Sequence, residues 1–284
     1  MKDLLAKRSR SVLRELAQPG TLVVLDFDGT LARIVRRPGA ARLAQGTRRI
    51  LGAAARVFRV AVLSGRAVAD VRLRLEGIPV EWIIGSHGAE WPGRPAPLAW
   101  RRLVRGWRQE LARRLAGLEG LELEDKGLSL SIHWRQARDP AAAGAAAARA
   151  ALRLRGAAVI PGKRVLNVVP AAAGDKGAAL RRLVAESGCA RVIFIGDDET
   201  DEAGFRERLP NATMVRVGRT SGSSAPYCLA HRADVDRVLA FLVALRNPGG
   251  RAAERPSTSS GRGGGSNRSR SPATGGARGA APLR

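Results

Sequence analysis

Asp26 and Asp28 stand two residues apart in Asp26-Phe27-Asp28-Gly29-Thr30, directly after the apolar run Leu22-Val23-Val24-Leu25. Such a run reads as a strand buried on both faces, so the pair falls where the strand gives way to a turn. In a parallel α/β sheet that end of a strand borders the ligand crevice. Two carboxylates there can hold a metal, or act as a nucleophile with a proton-transfer partner; the competing reading is a solvated Asp/Gly turn. A second cluster, Asp197-Asp198-Glu199-Thr200-Asp201-Glu202, follows the apolar run Val192-Ile193-Phe194-Ile195 and Gly196. Five carboxylates in six positions repel one another, which suggests a bound cation, and an all-oxygen donor set suits Mg2+ better than zinc. Helix capping by Asp198 is the alternative for part of the cluster.

These carboxylates sit in a chain of formal net charge +24. Of its 49 basic residues only five are lysines, at 2, 7, 126, 163 and 176, so a general Arg-rich composition accounts for much of the charge. The arginines are dispersed and no basic helix with interleaved aromatics appears, which argues against a nucleic-acid-binding face. Cys189 and Cys228 offer neither metal-ligand spacing nor a disulfide framework, and two isolated thiols fit a reducing cytoplasm. No stretch approaches the roughly 20 apolar residues that span a bilayer, so no membrane partner is expected.

The elements that position the carboxylates alternate. Strands over 22–25, 58–63 and 80–84, with helices over 44–56 and 67–76, form a βαβαβ series ending in Gly85-Ser86-His87-Gly88-Ala89-Glu90. The rhythm breaks after Trp91-Pro92-Gly93: two helices and two hairpin-like strand pairs suggest a small α+β unit. From Gly174 the alternation resumes, with a helix over 176–187 and a strand over 191–195. The expected organisation is a doubly wound, Rossmann-like α/β core in two parts, 1–93 and 164–246, with an inserted α+β cap over 94–163. An amphipathic helix is expected over 1–18. Residues 247–284, rich in Gly, Ser, Pro and Arg, read as a disordered basic tail.

Seven ordered strings carry a family resemblance. Asp26-Phe27-Asp28-Gly29-Thr30, Ser64-Gly65-Arg66, Asp175-Lys176-Gly177 and Gly196-Asp197-Asp198-Glu199-Thr200-Asp201 resemble the four motifs of the haloacid dehalogenase (HAD) superfamily of phosphatases. The 85–90 string, Lys126-Gly127-Leu128-Ser129-Leu130-Ser131-Ile132-His133-Trp134-Arg135 and Pro161-Gly162-Lys163-Arg164-Val165-Leu166 resemble the trehalose-6-phosphate phosphatases within it. Together they cover about residues 20 to 245.

The resemblance implies a Mg2+-dependent phosphatase acting on trehalose 6-phosphate, a small-molecule sugar phosphate, through an aspartyl phosphate, with a functional link to a trehalose-6-phosphate synthase. Asp26 would be the nucleophile, Asp28 the general acid and then base, and Lys176 the cation facing both phosphoryl group and nucleophile. Thr30, Ser64 and Gly65 would hold the phosphate. Asp26, Asp28, Asp197, Asp198 and Asp201 would form the metal site, Asp198 and Asp201 through bound water or Lys176. Arg66, His87, Glu90, Lys126, His133, Arg135, Lys163 and Asn167 would meet the sugar. Asn167 departs from the family, which usually carries Glu there. That opens the alternative of another sugar phosphate, of glycosyl-phosphoglycerate or sucrose-phosphate type. A different class of alternative is a non-catalytic nucleic-acid binder acting through the basic tail.

Overall fold

The computed structural model describes residues 1–35, 38–162 and 164–247. Lys163 and, apart from Asn247, the expected tail lie outside the described residues. Seven parallel strands form the main sheet: β1 (Lys2–Asp3), β2 (Thr21–Leu25), β3 (Arg59–Leu63), β4 (Trp82–Ile84), β9 (Arg191–Gly196), β10 (Ala212–Val217) and β11 (Tyr227–Leu229), in the order β1-β11-β10-β9-β2-β3-β4. Alternate residues of the central strands serve opposite faces. Val23, Leu25, Val60, Val62, Ile193 and Ile195 join one apolar core, which packs α1 (Arg10–Leu16), α2 (Gln45–Val57) and α8 (Ala233–Arg246). Leu22, Val24, Ala61, Leu63, Val192 and Phe194 join a second, which packs α6 (Lys176–Ser187) and α7 (Glu202–Phe205). Burial on both faces is why these strands read as continuous apolar runs rather than alternating ones.

The inserted unit has four antiparallel strands, β5 (Glu122–Asp125), β6 (Leu130–His133), β7 (Ala157–Gly162) and β8 (Val165–Pro170), in the order β5-β6-β8-β7. The helices α4 (Leu98–Arg114) and α5 (Pro140–Ala151) bury one face of this sheet around Leu130, Ile132, Leu166 and Val168. The opposite face carries a row in direct register, Glu124, Ser131, Asn167 and Ile160, with His133 two residues along β6 from Ser131. That face is polar because it looks toward the core crevice. Charges on Lys126 and Glu124 act on Arg66, and Lys126 also acts on Asp28 and His87.

Two expected boundaries shift. β8 lies in the antiparallel sheet, so the cap sheet runs on to Pro170 rather than stopping at 163: the hairpin β7-β8 pairs over six positions, from Ala157 with Pro170 to Gly162 with Val165. The expected helix over 1–18 shortens to α1, because Lys2 and Asp3 add to the sheet edge beside Tyr227 and Cys228. The Asp3 carboxylate then accepts from the Leu5 N–H at 2.9 Å, fixing the turn that precedes the helix. Among the described residues no helix is long and apolar enough to cross a membrane.

Candidate active site

β2 and β9 are neighbours at the centre of the sheet, so the loops after them converge at one crevice. Asp26 follows β2 and is 5% exposed. Lys176 starts α6 and is 2% exposed, and its ammonium donates to Asp26 Oδ1 and Asp201 Oδ1, both at 2.7 Å. A lysine in the first helical turn opposes the helix dipole, a cost offset here by two buried carboxylates. Burial alone would lower the Lys176 pKa; Asp201 and Asp26 outweigh it and hold the ammonium well above its ordinary range. Asp26 itself is pushed well up, by burial first and by Asp201 and Asp197, against the pull of Lys176.

The acidic loop after β9 is organised from within. Asp201 is fully buried, and its Oδ2 accepts the N–H groups of Asp197 and Asp198 at 2.9 and 3.1 Å. Asp198 Oδ1 accepts the Thr200 N–H and hydroxyl at 2.8 and 2.6 Å, closing a tight turn instead of capping a helix. Asp197 keeps its carboxylate toward the crevice, with Thr30 Oγ1 3.5 Å from its Oδ1. Burial, Asp201 and Asp198 push its pKa up to about 8. Gly29, at φ +87°, leaves the space that carboxylate needs: an added Cβ would lie 2.0 Å from Asp197 Oδ2.

Oxygens of Asp26, Asp197 and Asp201 lie within 4.8 Å of one another. The donor set is all oxygen and crowded enough to disfavour full ionisation, and a hard divalent cation relieves that repulsion, so the residues fit a metal. Because both oxygens of Asp201 are already engaged, Asp26 and Asp197 are the carboxylates open to it. The Asp28 side chain points elsewhere, onto the Arg66 guanidinium at 2.6 and 2.7 Å.

The other expected residues divide into those the fold gathers and those it does not. Ser64 follows β3, almost fully buried, with its hydroxyl oxygen accepting the Arg66 N–H at 3.2 Å. Gly65 makes room for His87, whose ring would lie 2.5 Å from a Cβ. His87 has a left-handed backbone, φ 57°, and both its ring nitrogens are buried, with the Asn167 side chain of the cap beside the imidazole. Burial, then Lys176 and Lys126, hold the imidazole neutral by lowering its pKa to about 3. His87 and Lys176 line a cleft of about 490 Å3 that continues between Ile160 of the cap and Arg206 of the core.

On the cap, Asn167 Oδ1 accepts from the Ser131 hydroxyl at 2.7 Å, and His133 Nε2 meets Glu124 Oε2 at 2.9 Å with Lys126 Nζ 3.6 Å from the same oxygen. Glu90 is committed within the core. Its Oε2 accepts the Val68 N–H at 2.7 Å and its Oε1 the Ser86 hydroxyl at 2.8 Å. It thereby caps α3 (Val68–Arg74), whose own preceding residue is Ala67. Arg135 is exposed in the turn after β6. Glu124 and Asp70 escaped the sequence reading. Glu124 stands one strand period before Lys126, and Asp70 four residues after Arg66.

Comparison with known proteins settles the family. Residues 24–231 match the trehalose-phosphatase family. The chain belongs to that family. It is 37% identical over 246 residues to the trehalose-phosphate phosphatase of Mycobacterium avium, covering 82% of this chain and 60% of that protein. The chain thus spans about 60% of the length of the curated relatives it matches. The fold is close to the C-terminal domain of Candida albicans trehalose-6-phosphate phosphatase, with TM-score 0.67, 23% identity, and coverage of 83% of this chain and 96% of that one. A phosphatase of the HAD superfamily from Bacteroides thetaiotaomicron shares it at TM-score 0.55 and 16% identity, covering 78% and 95%. The architecture is therefore an α/β HAD fold with a cap.

Proposed function

We propose that this chain hydrolyses trehalose 6-phosphate to trehalose and phosphate in the cytoplasm, with Mg2+ as cofactor. The observation that carries the reading is the buried array Asp26–Lys176–Asp201 at the centre of the sheet, with Asp28 two residues from Asp26. In this reading the Asp26 carboxylate attacks phosphorus. The leaving sugar oxygen takes a proton from Asp28, and an aspartyl phosphate forms. Asp28 then takes a proton from water as it attacks the same phosphorus, releasing phosphate and restoring Asp26. Lys176 keeps Asp26 oriented, while Ser64, the Gly65 backbone and Thr30 receive phosphoryl oxygens. Asp26 and Asp197 would hold Mg2+, which supplies charge neutralisation at the phosphoryl group.

The polar cap face would read the sugar with Lys126, His133 and Asn167, and Glu124 joins them as a donor-acceptor partner. A trehalose-6-phosphate synthase would supply the substrate. Asn167, held by Ser131, favours one second reading: a neutral side chain where the family carries Glu suits a sucrose-phosphate or glycosyl-phosphoglycerate substrate.

Phosphate release across a panel of sugar phosphates tests both readings. Trehalose 6-phosphate should give the highest kcat/KM, and release should stop with EDTA and return with Mg2+. Asp197→Ala should raise the Mg2+ requirement steeply or abolish turnover. Activity that survives chelation sinks the metal assignment; a higher kcat/KM on another sugar phosphate replaces the substrate.

A further inference from the structure

Arg66 is a bridge between two carboxylates. Its Nε and Nη2 donate to Asp28 Oδ2 and Oδ1 at 2.6 and 2.7 Å, a fork-to-fork pair, while its Nη1 donates to Asp70 Oδ2 at 2.7 Å. The guanidinium also lies over the Phe27 ring, 5.4 Å from its centroid. Asp70, in the first turn of α3, is itself held from the next turn. Arg74 Nη2 and Nε donate to its two oxygens at 2.8 and 3.1 Å, and Arg74 reaches back to the Ala41 carbonyl. A continuous line of charge-assisted bonds therefore runs from the scaffold to Asp28. Its members differ in freedom: the Arg66 and Arg74 side chains are 10% and 6% exposed, whereas that of Asp28 is 40% exposed. Half-exposed as it is, the Asp28 carboxylate takes its orientation from the fork. A bidentate fork holds a carboxylate in one plane only while its own plane is held.

We propose that Asp70 is a positioning residue, which aims the Arg66 fork and through it fixes the orientation of the Asp28 carboxylate. The proposal rests on the reading of Asp28 as the group that serves the leaving oxygen. Asp70 touches neither Asp26, Lys176 nor the acidic loop through any hydrogen bond described above, so its loss should spare attack on phosphorus. The two steps that use Asp28 should slow: loss of the leaving oxygen, by an amount that depends on how poor the leaving group is, and water attack on the aspartyl phosphate, whatever the leaving group.

The test uses aryl phosphates, which carry no sugar for the cap to read. With the full chain and saturating Mg2+, Asp70→Ala and the isosteric Asp70→Asn are compared on phenyl phosphate, whose leaving group needs a proton, and on 2,4-dinitrophenyl phosphate, whose leaving group does not. The alanine variant should lose about tenfold in kcat/KM on phenyl phosphate and stay within about twofold in kcat/KM on the dinitrophenyl ester, because kcat/KM reports only the steps up to loss of the leaving group. Asp70→Asn, which keeps one acceptor oxygen, should lie between it and the wild type. Equal losses in kcat/KM on both esters would overturn the proposal and mark Asp70 as scaffold. Asp28→Asn is the separate control. If it shows the leaving-group selectivity and Asp70→Ala does not, the proposal alone falls; if neither shows it, the reading of Asp28 falls as well.

Discussion

Lys176, on the floor of the crevice, is 2% exposed and donates to two carboxylates at 2.7 Å. On the cap, the Glu124 side chain keeps 35% of its surface, and Lys126 stands 3.6 Å away. Both regions gather opposite charges around a lysine, yet in the proposed reading they serve different tasks. A phosphoryl group is the same in every substrate, so donors and charges for it can be fixed in advance and dried out. Sugar hydroxyls arrive with the leaving group, so the groups that meet them must exchange partners, which a partly exposed trio such as Glu124, Lys126 and His133 can do. Burial therefore also predicts energetics. Glu124 is kept ionised because His133 and Lys126 outweigh the effect of its burial, whereas Asp26 is driven the other way.

The contrast breaks most visibly at Asp26. Asp26→Asn should lower turnover of trehalose 6-phosphate by about a thousandfold or more, since the proposed nucleophile is removed. Stability should hold or rise, because the fold already disfavours a charge at that position. Steady-state kinetics and a thermal melt on one preparation check both halves. Near-wild-type turnover would remove Asp26 from the nucleophile role, and a large fall in Tm would mean the floor is built for stability as much as for chemistry.

The floor was far more legible in sequence than the cap. Asp26, Lys176, Asp197 and Asp201 stand at the ends of long apolar runs or the start of a long helix, and a doubly wound sheet brings those ends together whatever the loop details. Glu124 was missed because its role depends on strand register: only pairing across β5, β6 and β8 shows that it shares a row with Ser131 and Asn167. Val165–Pro170 reads as a buried strand in either sheet, and the hairpin contact with β7 decides between them. The family resemblance set Glu90 against the sugar. Its engagement with Val68 is a capping bond across 22 residues, invisible to local pattern. Two-residue β1 carries no periodicity at all.

A smaller effect sharpens the cap side. Glu124→Gln and Lys126→Met should cut kcat/KM for trehalose 6-phosphate by about 10- to 100-fold, as remote binding energy no longer aligns the phosphorus. Hydrolysis of a small aryl phosphate should change by less than about twofold, because that substrate never made the cap contacts. Parallel losses on both substrates would show that the trio supports the fold or the chemistry, and the division between floor and cap would dissolve.

The smallest effect lies at the seam, in His87. Its imidazole belongs to the core, yet its surroundings include Lys176 from the floor and Lys126 from the cap. Its folded pKa, about 3, is depressed from an ordinary 6.5, chiefly by burial. As pH falls below 6.5 the unfolded chain takes up the proton first. The stability that neutral His87 contributes is therefore complete above 6.5 and declines toward pH 3, by about 1.4 kcal/mol per pH unit and so about 2 kcal/mol by pH 5. His87→Asn removes this titration while keeping a residue tolerant of φ 57°. Between pH 7 and 5 the Tm of the variant should fall less than that of the wild type. Parallel melting curves would mean that the imidazole picks up its proton without unfolding, and the seam would then be as open to water as the cap face.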